Sequence, residues 1–180
     1  VKILNLNNYV IEESIKVDGK PESIVIDGTD LWVGIQMNDD YSDGNKLLKI
    51  NTVSNSISET FEIGKGPTSL TVVNNNVYVA NTYYDANYNA FYGSSKLNAL
   101  SKEVDINYYG SGVVCGGDVL NYNNDIFRSF SGGAAKLGSD LKILEQTKIG
   151  SYDPNQLYSS KIIGDYIYFG ITDYNGTNQV

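Results

Sequence analysis

The chain has 180 residues, 41% of them apolar and 19% charged, which suits one globular domain with its own core. Its 21 acidic and 13 basic residues leave a net charge of −8 with no Lys/Arg cluster, so it lacks the concentrated positive surface that nucleic acid or an anionic membrane requires. Histidine is absent, which excludes Ser-His-Asp and Cys-His nucleophile systems, His-ligated zinc and axial-His haem.

From the N-terminus, Val1–Tyr9 lacks the pattern of a signal peptide, and no apolar run along the chain approaches the ~20 residues of a membrane span. Lys2–Leu6 and Val10–Val17 read as two short strands. Pro21–Ile26, Leu31–Gln36, Lys46–Asn51 and Ile57–Ile63 read as four more, separated by turn residues. A comparable set follows around Val77–Val79, Lys96–Leu100 and Lys102–Ile106, and another around Ile126–Phe127, Ala135–Ser139 and Lys142–Ile149. Leu157–Ile163 and Tyr166–Ile171 then lead to a broken strand at Asn178–Val180. No helical i, i+3, i+4, i+7 pattern persists. The 15 tyrosines suit half-buried sheet surfaces, and the many Asn and Gly residues suit tight turns.

These strands recur in register. An aliphatic-aromatic step begins at Leu31, Val77, Ile126 and Ile167, at spacings of 46, 49 and 41 residues. Eight residues before each stands a small polar residue, Ser23, Ser69, Asp118 or Ser159, and Pro21, Pro67 and Pro154 precede three of these; the third copy has Gly116 instead. A period of about 45 residues is that of a four-stranded propeller blade. The expectation is an all-β fold, a β-propeller of four-stranded antiparallel blades with about four repeats. With strands lettered A (inner) to D (outer), the repeats are 1–17 (strands C and D), 18–63, 64–106, 107–149 and 150–180 (A, B and the start of C).

The stretch Ile63–Thr82, "IGKGPTSLTVVNNNVYVANT", resembles the YVTN-type β-propeller repeat of bacterial and archaeal surface proteins. In that family a Gly-x-x-Pro entry precedes an inner strand, and a Tyr-Val-(Ala/Thr)-Asn strand follows. Val77–Asn81 match closely, Leu31–Gly34 and Ile167–Gly170 more loosely. Ile126–Ser129 departs, with Arg128 where an apolar residue is expected. The resemblance implies a propeller at the cell surface, outside the cell or in the periplasm. It specifies architecture rather than activity. Joining the ends gives "TNQV-VKILN", similar to Gly44–Asn51, so the units either close on themselves or form a segment of a larger propeller. The segment is the working expectation, since family members usually have more blades.

Candidate contact residues fall in the B–C connections. Thr82–Ser95 carries Tyr83, Tyr84, Tyr88, Phe91 and Tyr92, a set that can stack on sugars or seat peptides, or else cover the sheet and pack on the next blade. Met37–Asn45 carries Asp39, Asp40 and Asp43; its spacing does not fit an EF-hand, and a solvated acidic loop is expected rather than a calcium site. Tyr83, Tyr84, Tyr88, Tyr92, Asp39 and Asp43 are therefore the expected ligand-binding residues, on the face formed by the B–C and D–A loops. No catalytic residue, metal ligand or cofactor is expected. Cys115, the single cysteine, reads as a small packing residue, and Asn175–Thr177 as a weak glycosylation sequon.

The expected role is a non-catalytic binding or scaffold module for a protein or glycan, without nucleic acid or membrane insertion. The alternative is a self-assembling surface-layer or filament subunit. A propeller enzyme is the least supported reading, because the sequence places no carboxylate pair for glycoside hydrolysis.

Overall fold

The computed structural model describes residues 1–111, 117–130, 132–151, 156–172 and 178–179. Five antiparallel sheets follow one another along the chain. A hairpin of β1 (Lys2–Leu4) and β2 (Ile11–Ser14) comes first. The first blade is β3 (Lys20–Asp27), β4 (Asp30–Met37), β5 (Asp43–Asn51) and β6 (Ser56–Glu62). The second is β7 (Pro67–Val73), β8 (Asn76–Tyr84), β9 (Ala90–Asn98) and β10 (Val104–Ser111). The third is β11 (Val119–Tyr122), β12 (Asp125–Phe130), β13 (Gly132–Lys136) and β14 (Ile149–Ser151), and the fourth is β15 (Gln156–Ile163), β16 (Tyr166–Thr172) and β17 (Asn178–Gln179). Within each sheet neighbours in sequence are neighbours in space. The inner strands β3, β7, β11 and β15 pack side by side in that order. This is the up-and-down meander of propeller blades.

Local chemistry explains the turns. The A–B turns of the second and third blades place Asn74 and Asn75 (φ 49° and 61°) and Asn123 and Asn124 (φ 51° and 69°) in left-handed pairs, the conformation a two-residue hairpin with strand-matching twist needs. The C–D turns share another device. Asn5, Asn51 and Asn98 each accept, through the side-chain oxygen, the backbone N–H two residues on, at 2.8, 3.0 and 2.9 Å. Each of these turns closes on a left-handed residue, Tyr9, Asn55 or Lys102.

The core lies between sheets. Alternate residues of a strand face opposite sides, and here both sides are covered, so β4 reads as a continuous apolar run. Trp32 faces the second blade with Leu47, Ile63, Val77, Val79 and Leu97, while Val33 and Ile35 face the N-terminal hairpin with Leu48 and Ile50. A third cluster, Tyr92, Phe130 and Ala135, joins the second and third blades. On the face toward the next blade, each of the first three blades pairs a B-strand aromatic with a C-strand lysine: Trp32 with Lys49, Tyr78 with Lys96, Phe127 with Lys136. The ammonium groups of Lys49 and Lys136 lie 5.5 and 5.7 Å from their rings, and the three lysines pair with Asp30, Asp105 and Asp125 respectively.

Asn81, the asparagine of the Tyr-Val-Ala-Asn strand, is fully buried. Its amide donates to the Lys65 carbonyl (2.9 Å), and its carbonyl accepts from Ser95 Oγ (2.7 Å). It thereby ties the entry loop from the first blade to strand C of the second. The same loop needs Gly66, whose φ is 60° and where a Cβ would lie 1.8 Å from the Thr82 carbonyl oxygen. Asn81→Ala strands both partners, and a stability loss of about 1–3 kcal/mol in urea unfolding is the expected result. A loss below ~0.5 kcal/mol would show that the tie does not hold the loop.

Several expected elements shift. The B–C connections are shorter than expected, because the strands run on: β8 continues to Tyr84 and β9 starts at Ala90, while β4 ends at Met37 and β5 starts at Asp43. Tyr83 and Phe91 pair directly across strands with stacked rings 5.5 Å apart, so these β-formers extend the ladder instead of a loop. In the third blade, Lys142–Ile149 is not strand D. Leu141 turns with φ 62° into the interblade core, and its carbonyl accepts from Tyr109 (2.7 Å) and Asn107 (3.2 Å) of the second blade. A short 3-10 turn at Glu145–Thr147 follows, and strand D becomes Ile149–Ser151. Cys115, Gly116, Pro154 and the Asn175–Thr177 sequon lie outside the described residues.

Candidate functional site

Two B–C hairpin tips stand next to each other on the first and second blades, and they are built alike. Asn38–Ser42 and Asp85–Asn89 each close with the first residue's N–H donating to the last residue's carbonyl, at 2.9 and 3.0 Å. In each the fourth residue's N–H donates to the first residue's carbonyl, at 3.1 and 3.0 Å. That fourth residue is a tyrosine in both, Tyr41 with φ 67° and Tyr88 with φ 63°. A bulky side chain in the left-handed region is uncommon. The tips hold it there with further hydrogen bonds. Asn38 donates to Ser42 Oγ and the Asp43 carbonyl, Ser42 donates to Asp40, and Asp85 accepts from the backbone of Asn87 and Asn89 and the Asn89 amide. The two tyrosines are 74% and 87% exposed.

Between the tips lies an open cleft of about 390 Å³, lined by Met37, Tyr41, Asp43, Tyr84, Asp85 and Tyr88. That volume is in the range of small-ligand sites. Asp43 accepts the Tyr84 N–H at 3.2 Å, which links the first blade to the second, and Lys65 lies 3.9 Å from its other oxygen. The Asn89 amide, and then the backbone of Asn89 and Asn87, hold the Asp85 carboxyl below its usual range. Ser42 does the same for Asp40. Lys20 sits 3.8 Å over the Tyr41 ring and donates to the Asp39 carbonyl at 3.1 Å.

The six expected contact residues divide among four places. Asp43, Tyr84 and Tyr88 line the cleft. Tyr83 turns away from it, into an aromatic group with Phe91 and Tyr108 beneath Lys65, and burial raises its hydroxyl pKa. Tyr92 is 5% exposed and belongs to the core between the second and third blades. Asp39 does not line the cleft; its backbone carbonyl accepts from Lys20. Tyr41 and Asp85 join the site without having been singled out from sequence. Their signal was the matching position of a tyrosine fourth in "NDDYS" and "DANYN". Among the described residues, no group of three or more Asp, Glu or Cys side chains is placed to hold a metal ion, and no helix is long and apolar enough to cross a membrane.

No family model matches the chain, and no curated protein does. Solved structures do resemble it. A chain from the complex of KlAtg21 with the coiled coil of AgAtg16 aligns over 95% of this chain with a TM-score of 0.55 at 10% identity. The extracellular domain of the one-component system BT4673 from B. thetaiotaomicron aligns over 85% (0.42, 11% identity), and BamB from Moraxella catarrhalis over 87% (0.38, 11%). The chain spans 55%, 28% and 57% of these three chains. At such identities the first likeness speaks to fold alone, and it agrees with the sheet topology: the protein is all-β and built of propeller blades.

Proposed function

We propose that the protein is a non-catalytic binding module of the cell surface, cell exterior or periplasm, whose protein or glycan ligand seats between the B–C tips of the first two blades. The observation that carries this reading is the pair of exposed tyrosines, Tyr41 and Tyr88, held in left-handed geometry on either side of one cleft. Strained positions of this kind cluster at ligand clamps. Rigid aromatic rings beside carboxylates supply contact area at low entropy cost. The YVTN-type resemblance supports the surface location, and the complex of KlAtg21 with a coiled coil holds a chain of similar fold in a protein complex.

A glycan array and a displayed peptide library, screened against the wild type and Tyr41→Ala/Tyr88→Ala, test the reading. Hits that weaken about tenfold or more in the variant are expected, since each aromatic contact contributes ~0.5–1.5 kcal/mol. Hits that bind both proteins equally would remove the cleft from the site.

A second reading, a self-assembling surface-layer or filament subunit, is favoured by the exposed Ile24, Ile26, Tyr166 and Tyr168. Sedimentation velocity across a hundredfold concentration range separates the two. Growth of large species with concentration is the mark of the subunit.

A further inference from the structure

We infer that the cleft between the two tips recognises a cationic side chain, an arginine or lysine presented by a partner protein. This rests on the binding reading above and narrows its ligand class.

Three observations converge on positive charge. The first is donor and acceptor accounting. The tips use their own donors internally: both amide hydrogens of Asn38 go to Ser42 Oγ and the Asp43 carbonyl, Ser42 Oγ donates to Asp40, and the Asn89 amide donates to Asp85. What lines the cleft is the carboxylates of Asp43 and Asp85 together with Tyr41, Tyr84 and Tyr88, whose hydroxyls can donate or accept. A guanidinium or ammonium group needs acceptors alone, and each of these side chains can act as one. The second is charge. The carboxylates of Asp39, Asp40, Asp43 and Asp85 stand on these two tips, with Lys20 and Lys65 as the cations placed against them. The local balance is negative, as is the whole chain at −8. The third is an internal precedent. Lys20 already lies 3.8 Å over the Tyr41 ring, the geometry of a cation on an aromatic face, and Lys65 lies 5.4 Å over Tyr83 just behind the cleft. Tyr88 repeats the Tyr41 geometry, and among the described residues no lysine lies over its ring. An incoming cation would meet Tyr88 with Asp43 and Asp85 beside it.

The test is a ¹⁵N-resolved NMR titration with Nα-acetyl-arginine amide and, as a neutral analogue of the same shape, Nα-acetyl-citrulline amide. Saturable shifts at the amides of Tyr41–Asp43 and Tyr84–Tyr88 are expected with the arginine probe, with at least tenfold weaker binding of citrulline. Asp43→Asn combined with Tyr88→Ala should weaken arginine at least tenfold. Asparagine keeps the acceptor for the Tyr84 N–H, and an otherwise unchanged spectrum confirms the fold. Lys20→Ala, which clears the Tyr41 ring, should strengthen arginine binding. Equal binding of arginine and citrulline overturns the inference, as does silence of both. Shifts at the same amides with N-acetylglucosamine but not with arginine also overturn it, yet leave the binding reading intact. The binding reading itself fails only if the array and library hits ignore the tyrosines.

Discussion

Trp32→Ala is expected to destabilise the protein by about 3–5 kcal/mol in urea unfolding, the cost of deleting a large buried ring that its surroundings cannot close over. Trp32 is 1% exposed at the centre of the contact between the first and second blades, with Phe61 at 6.0 Å between ring centroids and Val77, Val79 and Leu97 from the next blade. The blades are joined by such faces, so the loss should show as separation of the first blade from the second. Trp32→Phe gives the sharper comparison. The indole Nε1 has no hydrogen-bond partner among the described residues, so the orphaned donor already costs free energy. The third blade carries Phe127 at the equivalent register, paired with Lys136 as Trp32 is paired with Lys49. Trp32→Phe should therefore cost less than ~1.5 kcal/mol. If phenylalanine proves as damaging as alanine, the indole N–H has a partner in solution, and ring volume is not what joins the blades.

Arg128→Met is expected to work in the opposite direction, stabilising the protein by about 1–4 kcal/mol. At that register the first and second blades carry Val33 and Val79. Arg128 is 0% exposed, donates one hydrogen bond through Nη1 to the Ser129 carbonyl (2.7 Å), and leaves Nε and Nη2 without a partner among the described residues. Burial pushes its pKa below the usual arginine range, and Tyr109, Asp118 and Tyr92 oppose the shift by favouring the charge. Gly117 makes room for the group: a Cβ there would lie 2.3 Å from Nη1. Methionine keeps the length and apolar stem of arginine and removes the desolvated charge. Thermal unfolding reads the result as a rise of about 2–4 °C per kcal/mol for a chain of this size. A fall in stability of more than ~1 kcal/mol would mean that the guanidinium is compensated in the folded protein and holds the second and third blades together.

These two positions show how differently sequence and structure speak. The blade period was legible because it is local. Asn74-Asn75 and Asn123-Asn124 can occupy left-handed hairpin positions at small cost, and Asn5, Asn51 and Asn98 cap the C–D turns through their own side chains. Such signals depend on a few adjacent residues and survive without knowledge of the rest. The strand ends were less legible. Thr82–Tyr84 and Ala90–Tyr92 pair because Tyr83 and Phe91 stack across the hairpin, an interaction between residues that the turn had first to bring together. The candidate site was half legible. Asp43, Tyr84 and Tyr88 could be proposed from composition, but the cleft exists only where the tips of two blades meet.

By itself, then, the chain's order of residues determined the repeat, the hairpin turns and the all-β class, because turn chemistry and two-residue alternation act over short distances. Tertiary structure decided which tyrosines line the cleft and which are core. Both faces of the second blade's sheet are covered, so polarity alone cannot tell Tyr92, packed against Phe130, from Tyr88, standing 87% exposed at a tip. It also decided the fate of Lys142–Ile149, where Leu141 entering the core and the Tyr109 hydroxyl meeting its carbonyl outweighed local strand propensity. Contacts between blades set those outcomes, and they depend on which residues the fold brings face to face across tens of positions in the chain.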